Sequence, residues 1–250
     1  MWKVSQPGLS ITPGETRVLV LLDQALIANL VSLTLQHGFF VTQHVENSID
    51  ALQVLADWQP HLAVIDMELG GRELFERIAG SREVGSRVPV IGLTRRGDLK
   101  SKLDAFERGV DDILTMPFSP EELLARALAA RRRAYGAEVR LQPVLRLGEI
   151  ELDILKRRVR VDSRELHLSS LEQSLLYLLA ANGGQTITRE QILDALWGAD
   201  FVAESTAVDR HVRALRAKLQ DQWREPRFIA TIPGQGYRFI ATTAEPVSTI

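Results

Sequence analysis

Short apolar runs alternate with amphipathic stretches through the first half of the chain. Arg17-Val-Leu-Val-Leu-Leu22 is an apolar run bounded by polar residues, the pattern of a buried strand. Gln24 to His37 follows with Leu26, Ile27, Leu30, Leu33 and Leu35 at mostly helical spacing, and Gly38 stops it. The same alternation predicts strands over 39–45, 62–66, 88–94 and 112–115, and helices over 48–58, around 73–79 and over 98–108. Ser119-Pro120-Glu121-Glu122 opens a further helix, with Ser as N-cap and Pro as first helical residue. Five β-α repeats predict an α/β fold, a doubly wound five-stranded parallel sheet with helices on both faces. Ligands of such sheets sit beyond the carboxyl ends of the strands. Asp23, Asp66 and Thr94 stand there. No Gly-rich loop follows the first strand, so a dinucleotide or P-loop site is not expected.

After Ala134 the period changes. The runs LRLGEIELD, RRVRVDS and ELHLS, within Val144 to Leu168, suit a small antiparallel sheet. Ser169-Ser-Leu-Glu172 is a capping-box pattern ahead of a helix, Thr188 caps a second over 189–196, and Ser205 precedes a third over 206–219. Phe228 to Ile240 reads as a hairpin turning at Pro233 to Gly236. Sheet, three helices and terminal hairpin make an α+β winged helix-turn-helix. In its last helix Val208, Val212, Leu215 and Leu219 form the apolar stripe, and Arg210, Arg213 and Arg216 are expected to point away from it. An isolated basic face is usually just solvated. Placed third after a sheet and before a hairpin, it suits the major groove, where Arg reads guanine or neutralises phosphate.

Composition narrows the picture. With 250 residues, 45% apolar and 25% charged, the chain has room for two domains. We divide it into a loose N-terminal extension (1–15), an α/β domain (16–134), a linker (135–143), the winged-helix domain (144–243) and a tail (244–250). The absence of cysteine excludes disulfides, Cys-ligated metals and Cys nucleophiles, and the five scattered histidines give no metal spacing. No apolar run reaches ~18 residues and the first fifteen lack a signal-peptide core, so a cytoplasmic protein is expected. The net charge of −2 hides a local bias: between Ser205 and Arg238 seven basic residues face three acidic ones.

Three segments carry a resemblance: Trp197-Gly198, Val208-Asp-Arg-His-Val-Arg-Ala-Leu-Arg-Ala-Lys-Leu219 and Gly234-Gln-Gly-Tyr-Arg-Phe239. They are similar to the effector domain of OmpR/PhoB-type response regulators. Residues 16–133, with Gly109-Val-Asp-Asp112 and Thr115-x-Pro117-Phe118, resemble that family's flavodoxin/CheY-like receiver domain. The resemblance implies a two-component transcription regulator, not an enzyme, that binds double-stranded DNA as a homodimer, with RNA polymerase as a further partner and a cognate histidine kinase left open. For DNA it implies Trp197, Arg210, His211, Arg213, Arg216, Lys218, Thr231 and Tyr237; the arginine that relatives carry before the wing turn is Pro233 here.

By position Asp66 is the phospho-acceptor, and Asp23, Asp66, Thr94 and Met116 line the receiver pocket. The family's Mg²⁺ would fall to Asp23, Asp66 and the Glu68 backbone. Four departures predict a degenerate receiver. One of the acidic pair is Leu22, the phosphate-binding lysine is Met116, the aromatic switch position is Ile113, and the loop after Asp66 is about three residues short, without its proline. Losing one charged donor costs ~3–4 kcal/mol of transition-state stabilisation. The expectation is therefore a regulator active without phosphorylation and requiring no cofactor, Mg²⁺ entering only if Asp66 is phosphorylated. The alternatives are a conventional phospho-Asp66 switch, or a pocket (Arg95, Arg96 and Met116) that binds a protein or small ligand to control DNA binding. The family's dimer positions carry complementary charges, Lys102 with Glu122, Asp111 with Arg126 and Asp112 with Arg133.

Overall fold

A computed structural model describes residues 16–36, 40–80, 87–95, 98–135, 144–198, 201 and 206–241. The N-terminal extension, the helix stop at Gly38, Arg96, the linker beyond Tyr135, Ser205 and the tail lie outside the described residues. Five parallel strands, β1 (Thr16–Leu21), β2 (Phe40–Val45), β3 (Leu62–Asp66), β4 (Val90–Thr94) and β5 (Asp112–Thr115), form one sheet in the order β2-β1-β3-β4-β5. Helices α1 (Ala25–Gln36), α2 (Ser48–Asp57), α3 (Arg72–Gly80), α4 (Leu99–Glu107) and α5 (Pro120–Tyr135) connect and follow them. Strands β3 and β4 are buried along their whole length, as sheet interiors covered on both faces require. The strand order reverses between β1 and β3, which puts the switch-point crevice between Asp23 and Asp66.

A four-stranded antiparallel sheet follows, β6 (Leu145–Leu147), β7 (Ile150–Asp153), β8 (Arg158–Val161) and β9 (Arg164–Leu166). Next come α6 (Ser170–Ala181), β10 (Thr186–Thr188), α7 (Arg189–Trp197), α8 (Ala207–Leu219) and the wing strands β11 (Ile229–Ile232) and β12 (Gly236–Phe239). Ser169 and Thr188 both form complete capping boxes. The wing is wider than the predicted hairpin, because β10 adds to β12 in a three-stranded sheet. Gly236 permits this: a Cβ there would lie 1.9 Å from the Ile187 carbonyl oxygen.

The two halves share one apolar core, which runs from β1 through α1 and α5 into α6 and the wing. Helix α1 packs on both α5 and α6. At that contact the Asn29 side chain donates to Asn182 Oδ1 (2.9 Å), and Asn182 Nδ2 donates to the Leu26 and Leu178 carbonyls. Arg157 of the effector half pairs with Glu121 of α5 at 3.6 Å.

Candidate nucleic-acid interface and receiver pocket

Strand β3 ends on Asp66, which is 3% exposed, beside Thr94 at the end of β4. Asp66 Oδ1 accepts the Glu68 backbone N–H at 2.9 Å. Burial pushes the Asp66 carboxyl above its usual range; that N–H and Arg95 oppose the shift, while the Glu68 and Asp23 carboxylates reinforce it. Asp23 is exposed just past β1, but Leu22 is sealed into the apolar core. Met116 packs against the same core, with its backbone N–H donating to the Thr94 carbonyl at 2.8 Å, ahead of a cis bond to Pro117. Ile113 is buried in the opposite sheet face.

Magnesium is a hard cation that wants ionised oxygen donors in near-octahedral array. Of the acidic pair only exposed Asp23 remains, and Asp66 is buried behind it. Among the described residues no three acidic or histidine side chains converge. These residues do not fit a Mg²⁺ centre.

In the effector half α8 buries Val208, Val212, Leu215 and Leu219, and leaves Arg210 and Arg213 exposed. Among the described residues neither arginine has a carboxylate partner. Arg216 departs from expectation. It turns inward, donating from one guanidinium nitrogen to the Ile229 carbonyl (2.6 Å) and Thr231 Oγ1 (2.8 Å), over the Tyr237 ring. Burial lowers its pKa, and its Nε has no hydrogen-bond partner. The reason is geometric: position 216 lies between the apolar stripe and the wing, so its long side chain bridges helix to hairpin. Lys218 is likewise taken, bonding Glu172 (2.6 Å) and the His167 carbonyl (2.9 Å). Tyr237, expected at the backbone of DNA, is buried and donates to Asp209 (2.6 Å), which also pairs with Arg189. Burial and the Asp209 contact push its hydroxyl up to about 12. Trp197 stacks on Phe201 and lies 5.3 Å from the His211 ring, half-buried between α7 and α8. Pro233 sits exposed at the wing turn.

The charged positions of α4, β5 and α5 mostly find partners within the chain. Arg126 bridges Asp112 and Glu122, both at 2.7 Å, while Asp111 meets Arg87 (3.2 Å) and accepts the Val90 N–H (2.8 Å). Arg133 is exposed on the rim of a cleft of about 320 Å³ shared with Arg87 and Asp111. Sequence reasoning missed the neighbouring stripe on α4, where Leu99, Leu103 and Phe106 are all exposed. Their i, i+4, i+7 spacing was the available signal. It also missed Arg189, whose partners Asp209 and Tyr237 are distant in sequence, and the exposed Trp223.

Comparison with known proteins agrees with this architecture. Residues 18–128 match the response regulator receiver domain, and 163–239 match the C-terminal domain of transcriptional regulatory proteins. The phosphate regulon transcriptional regulatory protein PhoB of Pseudomonas aeruginosa is 32% identical over 229 residues, covering 90% of this chain and 97% of that one. The transcriptional regulatory protein KdpE of Mycobacterium tuberculosis is 31% identical, covering 90% and 100%. The crystal structure of DrrB, a Thermotoga maritima OmpR/PhoB homologue, covers 90% of this chain and 99% of its own at 29% identity, with a TM-score of 0.42. The chain therefore belongs to the OmpR/PhoB-type response regulators, two-domain DNA-binding regulators of transcription and not enzymes.

Proposed function

We propose that this regulator binds its operator as a homodimer without phosphorylation of Asp66. One observation carries the reading: the two positions that would hold a phosphoryl group and its counterion are Leu22, sealed in the apolar core, and Met116, partly buried against it. Neither can donate to or neutralise a phosphoryl oxygen. The acceptor itself is buried, at 3% exposure. Arg210 and Arg213 face the DNA from α8, while Trp197, His211 and Thr231 lie toward the sugar–phosphate backbone. Arg216, Lys218 and Tyr237 support this surface from behind.

The receiver supplies the dimer. The exposed stripe of Leu99, Leu103 and Phe106 is apolar surface in need of cover. Lys102 of α4 and Glu122 and Arg133 of α5 carry both signs of charge, Glu122 being already held by Arg126, and a second copy related by a twofold axis meets them reciprocally. Two half-sites about one helical turn apart then follow. No helix among the described residues is long and apolar enough to cross a membrane.

The test is selection from a random duplex pool with untreated protein, wild type and Asp66→Ala. Both are expected to enrich the same pair of half-sites. A single half-site that becomes a pair only after treatment of the wild type with a small acyl phosphate would return the conventional phospho-Asp66 switch.

A further inference from the structure

A cleft of about 660 Å³ opens between the C-terminal half of α8, the loop behind it and strand β11. Arg213, Arg216, Trp223, Arg224 and Thr231 line it. The loop is held in place. Gln220 ends α8 in the left-handed region (φ 55°), turning the chain back alongside the helix. Asp221 then accepts the backbone N–H groups of Arg227 (2.6 Å), Phe228 and Ile229. Trp223 stands out from this loop with 67% of its surface exposed, and the Arg224 guanidinium lies 5.1 Å from its ring centroid.

The charges at the cleft do not cancel. The Asp221 carboxylate is spent on three amides, and the Asp209 carboxylate is spent on Arg189 and Tyr237. Arg216 is committed to the wing. Arg213 and Arg224 are both exposed and, among the described residues, neither has a carboxylate partner. Three guanidinium groups and two carboxylates thus line the cleft, a net excess of positive charge, and its exposed charges are Arg213 and the loop's own Arg224, which lies over the Trp223 ring. Tryptophan is highly buried on average, and here one face of the indole is open beside two exposed arginines.

We propose that this cleft seats a backbone phosphate of the DNA strand, bracketed by Arg213 and Arg224, with Trp223 packed against the adjoining deoxyribose. The loop after α8 becomes a further DNA contact beside the helix and the wing. It fixes register and adds affinity but reads no base. The assignment rests on α8 entering the major groove, because the cleft continues the surface that carries Arg210 and Arg213. A protein surface covering Trp223 is the competing occupant.

The experiment is anisotropy of a labelled duplex with full-length wild type, Arg224→Ala, Trp223→Ala and Arg213→Ala, titrated at several salt concentrations on selected and random DNA. All three side chains are exposed, and melting curves check that each variant folds. Arg224→Ala is expected to weaken binding roughly 3- to 10-fold on both duplexes, with a log–log salt slope shallower by about one. Trp223→Ala is expected to weaken it several-fold with the slope unchanged, since it removes packing and no charge. If Arg213→Ala is impaired while the two loop variants bind as wild type, the proposal fails and Trp223 belongs to a protein contact. If all three bind as wild type, the major-groove reading of α8 fails as well. A loss in Arg224→Ala confined to the selected duplex would make Arg224 a base reader and overturn the phosphate assignment.

Discussion

Arg213 and Arg216 stand one turn apart on α8 and have opposite surroundings. Arg213 is exposed without an acidic partner, whereas Arg216 is folded onto Ile229, Thr231 and Tyr237. Their alanine variants should therefore separate. Arg213→Ala is expected to keep wild-type stability and to weaken DNA binding about equally on all sequences, with a shallower salt slope. Arg216→Ala is expected to lose ~1–3 kcal/mol of folding stability, measured by urea unfolding, because the wing loses a charged donor at a buried carbonyl. Asp66 gives a pH-dependent signature. Its pKa is raised mainly by burial, so the native state holds this proton to a higher pH than the unfolded chain. Stability from this group is complete below the unfolded carboxyl range and falls as pH rises through the folded value. Asp66→Asn keeps an oxygen to accept the Glu68 N–H and removes the buried charge. It is expected to melt higher than wild type near neutrality, with the difference closing as pH drops toward the carboxyl range. A constant difference at all pH values would contradict this account.

Among the elements, α4 and α8 show how one apolar period serves two ends. On α8 the stripe is covered by the effector core, and its opposite face carries the arginines. On α4 only Ala105 is buried, and the more apolar stripe faces out. Leu103 is 52% exposed, so Leu103→Glu removes little from the monomer's own packing. It is expected to convert the proposed dimer to a folded monomer by sedimentation and to lose cooperative binding to paired half-sites. A dimer that survives this change would place the interface elsewhere. Helix α6 illustrates the reverse case. Its residues from Glu172 to Ala180 are all buried, which an amphipathic surface helix does not show. The cause is cover on two sides, α8 on one and α1 on the other.

At the level of the whole molecule, that second cover makes receiver and effector one packing unit. Asn182 is its polar centre, 2% exposed and bonded to Asn29 and the Leu26 carbonyl across the boundary. Asn182→Ala strands a buried carbonyl and an amide and is expected to cost ~1–3 kcal/mol. Urea unfolding followed by Trp58 in the receiver and by Trp197 in the effector should report a single coincident transition; two separate midpoints would show independent domains.

Elements whose cause is local were legible in the chain. Strands β3 and β5 fall on their predicted residues, and the capping boxes at Ser169 and Thr188 start helices where expected, because period, caps and turn residues act over a few positions. The departures Leu22 and Met116 were legible for the same reason, since they are residue identities at positions a motif fixes. The fate of Arg216, Lys218 and Tyr237 was not. Their partners lie 13 to 51 residues away, and no local period reveals which long side chain will reach a buried carbonyl or carboxylate. The pairing of β10 with β12, the Asn29–Asn182 bridge and the cleft beside Trp223 belong to the same class. Sequence alone determined most of the elements, β10 excepted, and which residues stand at the receiver's motif positions. Only the tertiary structure decided which charges are spent inside the protein and which remain for DNA, because that depends on the distance between groups far apart in the chain.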